Sequence, residues 1–161
     1  GFTVVEMLVT IAIMSMLLVI SIGIGRSAMQ RGNFTSAVNQ FVADFAYARQ
    51  LAPRENRYVA VDFDDKGQTY TIKVQDSISN IVNFSTDRIV DPLDGKEFFD
   101  HTTATDFVVN SMGIIKEYPM KVNGQAITVE LDFFQKNQSS GTTDFKKKLT
   151  IFPSGGIKIE D

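Results

Sequence analysis

The first apolar segment of the sequence is too long and too uniform for an ordinary core helix. Between Glu6 and Arg26, residues 7–25 form a run of 19 residues without a charge. A helix rises about 1.5 Å per residue, so the run is roughly 28 Å long, which matches the hydrocarbon thickness of a bilayer. Helices buried in soluble proteins usually keep one polar face. The run therefore predicts a membrane-spanning helix.

The helical pattern continues beyond this run, but there it becomes amphipathic. Apolar residues recur at alternating spacings of four and three along residues 34–52, which places them on one helical face. Asp44 and Arg49 fall on other faces, and Pro53 is a natural stop. The pattern predicts one helix from about Thr3 to Leu51, packed under a head domain. A coiled-coil dimer is the competing interpretation, which the short run of under three heptads disfavours. The apolar stripe consists of Phe34, Val38, Phe41, Phe45, Ala48 and Ala52.

From Arg57 onwards the hydrophobic period changes to two, which is typical of strands with one buried face. Residues 57–63 and 69–75 predict a hairpin, and the C-terminal third predicts an antiparallel meander. The middle of the head is irregular and offers only two short candidate strands. The fold class is therefore α+β, with a long N-terminal helix on an antiparallel sheet. The meander strands are expected at 126–134, 145–152 and 157–159, and the short candidates at 81–84 and 107–109.

Composition argues against most enzyme chemistry. The 161 residues include no cysteine and a single histidine, His101, which excludes disulfides, thiolate metal sites and cysteine nucleophiles. Any histidine-based catalytic or metal site would have to be built around that one ring. We therefore predict no enzymatic activity, no metal and no cofactor. A membrane-anchored enzyme is the alternative, but no catalytic cluster supports it.

The residues in front of the apolar run resemble a known processing signal. Gly1, Phe2, Thr3, Val4, Val5 and Glu6 precede the run, and a glutamate at a membrane edge is costly unless it is paired. This arrangement resembles the class III signal of type IV pilins and type II secretion pseudopilins. The resemblance implies that a prepilin peptidase cuts between Gly1 and Phe2 and that the new N-terminal phenylalanine is methylated. The short basic leader of that family does not precede Gly1 here, so we expect it to have been trimmed.

The resemblance also assigns roles in assembly. It implies that the Glu6 carboxylate pairs with the free N-terminal amine of Phe2 on a neighbouring subunit and so fixes the axial register. The alternative is a glutamate that reaches out to the membrane interface. The helices of neighbouring subunits would pack through Met7, Leu8, Ile11 and Leu18.

The implied setting is a single-pass protein of the bacterial inner membrane with its head in the periplasm, or a subunit within a pilus or pseudopilus. The implied partners are other pilin or pseudopilin subunits, prepilin peptidase, the inner-membrane assembly platform and the lipid bilayer. We expect residues 1–25 to form the cleavage motif and membrane half of the helix. Residues 26–53 would form its amphipathic half, and residues 57–161 the head.

Three segments narrow the resemblance within the pilin-like proteins. Residues 41–49 at the helix end, residues 54–57 before the first strand and residues 149–156 before the last strand resemble the GspH/FimT family. This resemblance implies a minor subunit, either an H-type pseudopilin or a T-type minor pilin. A main filament subunit remains an open alternative.

Some T-type minor pilins are credited with DNA binding through a C-terminal glycine–arginine–x–arginine stretch. The matching residues here are Gly155, Gly156, Ile157 and Lys158, so both arginines are missing. The candidate DNA contacts are then Lys146, Lys148 and Lys158. Residues 58–161 carry 11 basic and 16 acidic side chains, and such a head repels phosphates unless it segregates a basic patch. Calcium, which some major pseudopilins bind, stays open for the acidic residues of 87–100.

Overall fold

The fold combines one very long helix with two antiparallel sheets. The computed structural model describes residues 1, 3–77, 80–100, 102–118, 125–136 and 143–160. Helix α1 spans Val4–Glu55 without interruption. Asn56 then adopts a left-handed conformation with φ of 51°, and its N–H donates to the carbonyl of Ala52, which ends the helix. The helix therefore runs four residues beyond the predicted end at Leu51, and Pro53 lies inside its last turn.

The larger sheet has five strands in the order β3-β2-β1-β4-β5. Its opposite edges approach each other, because the rings of Phe84 on β3 and Tyr118 just after β5 lie 5.5 Å apart. Flat strands spaced about 4.8 Å apart would hold these edges much further from one another, so the sheet is strongly curled. The strands are β1 (Val59–Phe63), β2 (Tyr70–Ser77), β3 (Asn80–Val90), β4 (Phe107–Val109) and β5 (Ile115–Glu117).

The smaller sheet is the predicted meander, with β6, β7 and β8 paired in sequence order. Segment 98–100 runs along the outer side of β6, where the N–H of Phe134 donates to the carbonyl of Phe98 at 2.9 Å. The N–H of Ile115 on β5 donates to the carbonyl of Pro153 at 3.1 Å, which ties the larger sheet to the β7–β8 turn. The strands are β6 (Val129–Lys136), β7 (Thr143–Ile151) and β8 (Ile157–Glu160).

The second half of α1 packs against both sheets and centres an aromatic core. All six residues of the predicted apolar stripe are at most 2% exposed. Phe41 lies 5.1 Å from Tyr70 on the larger sheet and 5.2 Å from Phe133 on the smaller one, measured between ring centroids. The stripe is thus buried within its own chain, which replaces the coiled-coil interpretation.

Two expectations for the head are corrected. Residues 81–84 belong to the much longer strand β3, whose residues 83–89 face solvent for most of their length and so lack an alternating pattern. The other correction concerns Asp44, which the sequence places outside the apolar stripe but which is only 5% exposed, because it lies between the helix and the larger sheet. His101 lies outside the described residues.

Candidate assembly site

The N-terminus of α1 is closed by a reciprocal cap between Thr3 and Glu6. The Glu6 N–H donates to Oγ1 of Thr3 at 3.2 Å, while the Thr3 N–H donates to Oε2 of Glu6 at 2.9 Å. The Thr3 hydroxyl donates to the same Oε2 at 3.0 Å. A threonine followed three residues later by glutamate is the sequence signature of this capping box. Glu6 therefore orders the first helical turn within its own chain.

This cap is compatible with an additional partner for Glu6. Both hydrogen bonds from Thr3 fall on Oε2, and an ionised carboxylate offers about four acceptor positions on its two oxygens. The N–H of Thr3 remains an ordinary peptide amide after a cut between Gly1 and Phe2. The cap would thus persist in a processed chain. Phe2 itself lies outside the described residues, and Gly1 is exposed.

The described side chains in the first half of α1, those of residues 4–19, are all exposed and are mostly apolar on every side of the helix. Met7, Leu8, Ile11 and Leu18 are 59–64% exposed, and the large apolar side chains between them share this exposure. Contiguous apolar surface of this extent on a folded chain marks an interaction site for lipid or protein. The structure thus places the four predicted packing residues on one uncovered helical segment.

The few polar groups in this segment bond to the helix itself. The hydroxyl of Thr10 donates to the carbonyl of Met7 at 2.9 Å, and that of Ser15 donates to the carbonyl of Ile11 at 2.8 Å. Buried hydroxyls are costly in an apolar environment unless they are hydrogen-bonded. The segment can therefore be surrounded by apolar material without leaving these two hydroxyls unpaired. Among the described residues, no helix is both long enough and apolar enough to cross a membrane.

A buried polar cluster fixes the head to the second half of the helix. The Tyr70 hydroxyl on β2 donates to Oδ2 of Asp44 at 2.8 Å, and Nη1 of Arg88 on β3 donates to Oδ1 at 2.6 Å. Burial, followed by the bond to Asp44, raises the pKa of Tyr70. The guanidinium of Arg88 also lies 5.2 Å from the ring centroid of Tyr47 on α1. One carboxylate on the helix thus bonds two strands of the larger sheet.

Arg49 makes the corresponding attachment to the smaller sheet. Its Nη1 donates to the carbonyl of Gly155 at 2.8 Å, and its Nη2 donates to that of Ser154 at 3.1 Å. Gly155 has φ of 80°, a conformation that favours glycine. The guanidinium fills the space that a side chain at residue 155 would occupy. The β7–β8 turn is therefore held by the helix and by β5 together.

The three candidate DNA contacts lie among carboxylates on the outer side of the smaller sheet. Lys148 pairs with Glu130 at 2.7 Å, and Lys158 pairs with Glu160 at 2.5 Å. Glu130 raises the pKa of Lys148, and Lys158 lowers the pKa of Glu160, as expected for ion pairs. Lys146 is exposed opposite Phe134. Two of the three lysines are thus neutralised locally, and DNA contact through them stays a prediction.

A pair of carboxylates lies on the side of the curled sheet that faces away from α1. Asp62 forms an ion pair with Lys73, and Oδ1 of Asp106 accepts the N–H of Phe63 at 2.8 Å. Burial raises the pKa of Asp106 to about 6, and the hydrogen bond and charge of Asp62 add to the rise. Lys73 and the Phe63 N–H oppose it. No group of three potential metal ligands converges among the residues that the structure describes, including the acidic residues of 87–100.

Sequence patterns did not identify Arg49, Asp44 or Asp106 as attachment or titrating residues. Asp44 and Arg49 lie outside the apolar stripe, where a charged residue usually faces solvent. The partners that give Asp44 its role are Tyr70 and Arg88, which are 26 and 44 residues away in the sequence and reach Asp44 only in the folded chain. Asp106 carries no local signal, because Asp62 is 44 residues away in sequence.

Comparison with known proteins supports the architecture. No known protein-family model matches the sequence, and no curated protein matches it either. Among solved structures, the chain is similar to the type IV minor pilin FimU of Pseudomonas aeruginosa, with a TM-score of 0.51 and 20% identity over 82% of this chain and 91% of that one. A second crystal form of FimU gives a TM-score of 0.48 and 20% identity over 79% and 92% of the two chains. The first match establishes a pilin-like α+β fold, as the sequence predicted.

Proposed function

We propose that this chain is a minor structural subunit, less abundant than the main pilin, of a type IV pilus or a type II secretion pseudopilus. In this proposal a prepilin peptidase cuts after Gly1, Phe2 is N-methylated, and the chain assembles through the first half of α1. The proposed work is assembly, so the chain itself performs no catalysis.

The observation that carries the proposal is the division of α1 into two halves with opposite surroundings. The second half is buried by its own head, with Phe34 and Phe41 each 1% exposed. The first half is capped at Thr3 and Glu6, and its described side chains, those of residues 4–19, are exposed and mostly apolar. A pilin-like fold that leaves this helical segment exposed supports its insertion first in a bilayer and later among the helices of neighbouring subunits.

The proposed partners follow from these surfaces. Before assembly the segment would lie in the inner membrane, with the head in the periplasm and the assembly platform nearby. After assembly the partners would be other pilin or pseudopilin subunits, packed through Met7, Leu8, Ile11 and Leu18. An H-type pseudopilin and a T-type minor pilin would both use the helix in this way.

Mass spectrometry of sheared surface filaments tests the proposal. We expect the N-terminal peptide to begin at methylated Phe2 and the chain to be present at trace abundance. The same peptide at dominant abundance would make the chain the main filament subunit. An uncut N-terminus found only in membranes would contradict the filament role and favour an anchored head with a different function.

Variants of Glu6 separate its charge from its capping role. Glu6→Ala loses both, and we expect it to insert in the membrane but not to enter filaments. Glu6→Gln keeps an acceptor for the Thr3 N–H, since glutamine also serves in a capping box, but removes the negative charge. If the carboxylate sets the register by pairing with an amine, Glu6→Gln also fails to be incorporated. Incorporation is measured by immunoblotting of sheared filaments against the membrane fraction.

Thr3→Ala is the matched control for these variants. It removes the hydroxyl of the cap but leaves the Glu6 carboxylate, so we expect incorporation to be reduced only slightly. If Glu6→Gln were incorporated into filaments normally and Thr3→Ala were not, the cap would matter for assembly and the charge of Glu6 would not. That result would overturn the register argument while leaving the filament role intact.

A further inference from the structure

The smaller sheet ends in an open edge at β8. In the strand order β6-β7-β8, one side of β8 pairs with β7 and the other has no neighbouring strand among the described residues. Lys158, Ile159 and Glu160 are all exposed. By contrast, β6 at the opposite side of the sheet is flanked by segment 98–100. An open edge offers free backbone donors and acceptors to another strand.

The hydrogen-bond pattern shows which residues of β8 point to the open side. The Phe152 N–H donates to the Gly156 carbonyl at 2.9 Å, which makes this a hydrogen-bonded pair of the β7–β8 hairpin. Such pairs alternate along an antiparallel ladder. Lys158 and Glu160 therefore bond β7, whereas the N–H and C=O of Ile157 and Ile159 point away from it. Ile159, opposite Leu149, is 43% exposed although Leu149 is completely buried.

The charges of β8 are complementary to themselves when the strand is reversed. If two copies pair antiparallel about Ile159, its outward N–H and C=O bond the same groups of the second copy. Lys158 then stands opposite Glu160 of the second copy, and Glu160 opposite Lys158. These are non-hydrogen-bonded pairs, in which side chains approach most closely. A slide of one copy by two residues in either direction would place Lys158 opposite Lys158 or Glu160 opposite Glu160. The charges therefore favour one register.

We propose that the β8 edge binds β8 of a second copy of this chain in this register, giving one continuous sheet of six strands. Alternating charges on a short edge usually deter foreign strands, but here they match the reversed copy. The exposed Ile159 side chains of the two copies would cover each other at the centre. This head-to-head contact goes beyond the proposed filament role and does not depend on it.

Cross-linking of the full chain in detergent micelles tests this contact. The sequence has no cysteine, so Ile159→Cys introduces a single thiol on each copy. Paired strands hold these thiols within reach of a short bismaleimide. The matched control is Ile89→Cys, which places a thiol on β3, an edge strand of the other sheet, at an isoleucine that is 68% exposed. We expect Ile159→Cys to cross-link about tenfold faster than the control.

Charge reversal then identifies the register. In the Ile159→Cys background, Lys158→Glu alone and Glu160→Lys alone each oppose like charges twice, and we expect about tenfold slower cross-linking. A mixture of these two variants restores both opposite-charge pairs, so we expect rapid formation of the mixed product. Circular dichroism melting confirms that each variant is folded. Equal rates for Ile159→Cys and Ile89→Cys, or a mixture no faster than its components, would overturn the proposal.

Discussion

At the scale of single residues, the ionised carboxylate of Asp106 is unfavourably placed at neutral pH. Its carboxyl accepts the Phe63 N–H and lies against Asp62, so two carboxylates share one ammonium, that of Lys73. The folded pKa of Asp106 is about 6, above the ordinary value of 3.8. The folded chain therefore binds more protons than the unfolded chain between about pH 4 and pH 6. Asp106 therefore lowers the free energy of unfolding above this pH range and has no effect on it below the range.

Asp106→Asn should remove this penalty. The asparagine oxygen can still accept the Phe63 N–H, and its amide can donate to Asp62. We expect the variant to exceed the parent in unfolding free energy at pH 7.5 by about 1 to 2 kcal/mol, after allowance for the half-exposed position. The difference should shrink as the pH falls towards 4. Urea unfolding of both chains in detergent micelles at several pH values measures it.

Asp65→Asn, in the exposed β1–β2 turn, is the control for loss of one negative charge. Its difference from the parent should stay small and constant across the same pH range. A similar pH profile for both variants would mean that the net charge of the head, rather than the Asp62–Asp106 contact, causes the effect.

Gly155 is a second residue whose identity the fold specifies. Its φ is 80°, and an added Cβ would lie 2.7 Å from Nη1 of Arg49 and closer still to its Cζ and Nε. Gly155→Ala should lower the unfolding free energy by about 2 to 4 kcal/mol, because backbone strain and a steric clash add. Equilibrium unfolding monitored by circular dichroism measures the loss.

Gly95→Ala separates the two contributions to that loss. Gly95 has a similar φ of 73°, but no atom lies within 4 Å of its added Cβ, so this variant should lose only about 1 kcal/mol. Arg49→Ala combined with Gly155→Ala should lose less than the two single losses added together, since the truncated side chain no longer clashes. Equal losses for Gly155→Ala and Gly95→Ala would show that the turn moves away from Arg49 without cost.

At the scale of secondary-structure elements, the accuracy of the sequence prediction follows burial. The second half of α1 and strands β1, β2, β6 and β7 each carry a regular apolar period because one face is buried, and all five were predicted. Strand β3 was recognised only in part, because most of it forms an exposed edge with two register irregularities against β2. Strand β5 was missed because only one of its three residues is apolar, whereas the equally short β4 is apolar throughout and was predicted.

The end of α1 shows a different limit of sequence reasoning. Pro53 lacks an N–H and suggested a stop at Leu51, but a proline near the end of a helix forfeits only one bond. The chain instead turns at Asn56, whose N–H still bonds the carbonyls of Ala52 and Pro53. The additional helical turn lets Ala52 remain completely buried against the head. Tertiary packing here outweighs a local signal.

The attachment of α1 to the larger sheet depends on Asp44. Asp44→Ala would leave the Tyr70 hydroxyl buried without its acceptor and would unpair Arg88. We expect a loss of about 2 to 3 kcal/mol in unfolding free energy, moderated because Arg88 is half-exposed. Tyr70→Phe, which removes only the hydroxyl, should cost about 1 kcal/mol. Chemical unfolding of the full chain in detergent micelles compares the variants.

Asp87→Ala is the matched control for Asp44→Ala. Asp87 is exposed on β3 and accepts a hydrogen bond from Tyr47 of the same helix, at 3.4 Å. A long, exposed bond of this kind contributes little, so we expect a change within about 0.5 kcal/mol. If Asp44→Ala cost no more than this control, the buried cluster would not be what holds the helix to the larger sheet.

At the scale of the whole molecule, one helix has a second half that is buried by the head and a first half that the described head does not cover. Its second half completes a core together with both sheets, and the sequence revealed this half through its apolar stripe. The division of the strands into two sheets could not be predicted, because it depends on contacts such as that of Ile115 with Pro153, which are 38 residues apart. The described side chains of the first half, residues 4–19, do not pack in this core, so the role proposed for this half depends on its environment in the cell.

Leu18→Lys tests whether the first half of α1 lies in an apolar environment. The substitution puts a charge near the middle of the uncharged run, where insertion into a bilayer becomes less favourable by about 2 to 3 kcal/mol. We therefore expect weaker retention of the chain in alkali-washed membranes. The melting of the head should stay unchanged, because Leu18 is 64% exposed and the head buries only the second half of α1. Ser36→Lys adds the same charge at an exposed position of the second half and should leave retention unaltered. Equal retention of both variants would contradict the membrane-spanning prediction, whereas a lower melting temperature for Leu18→Lys alone would mean that the first half of the helix supports the head directly.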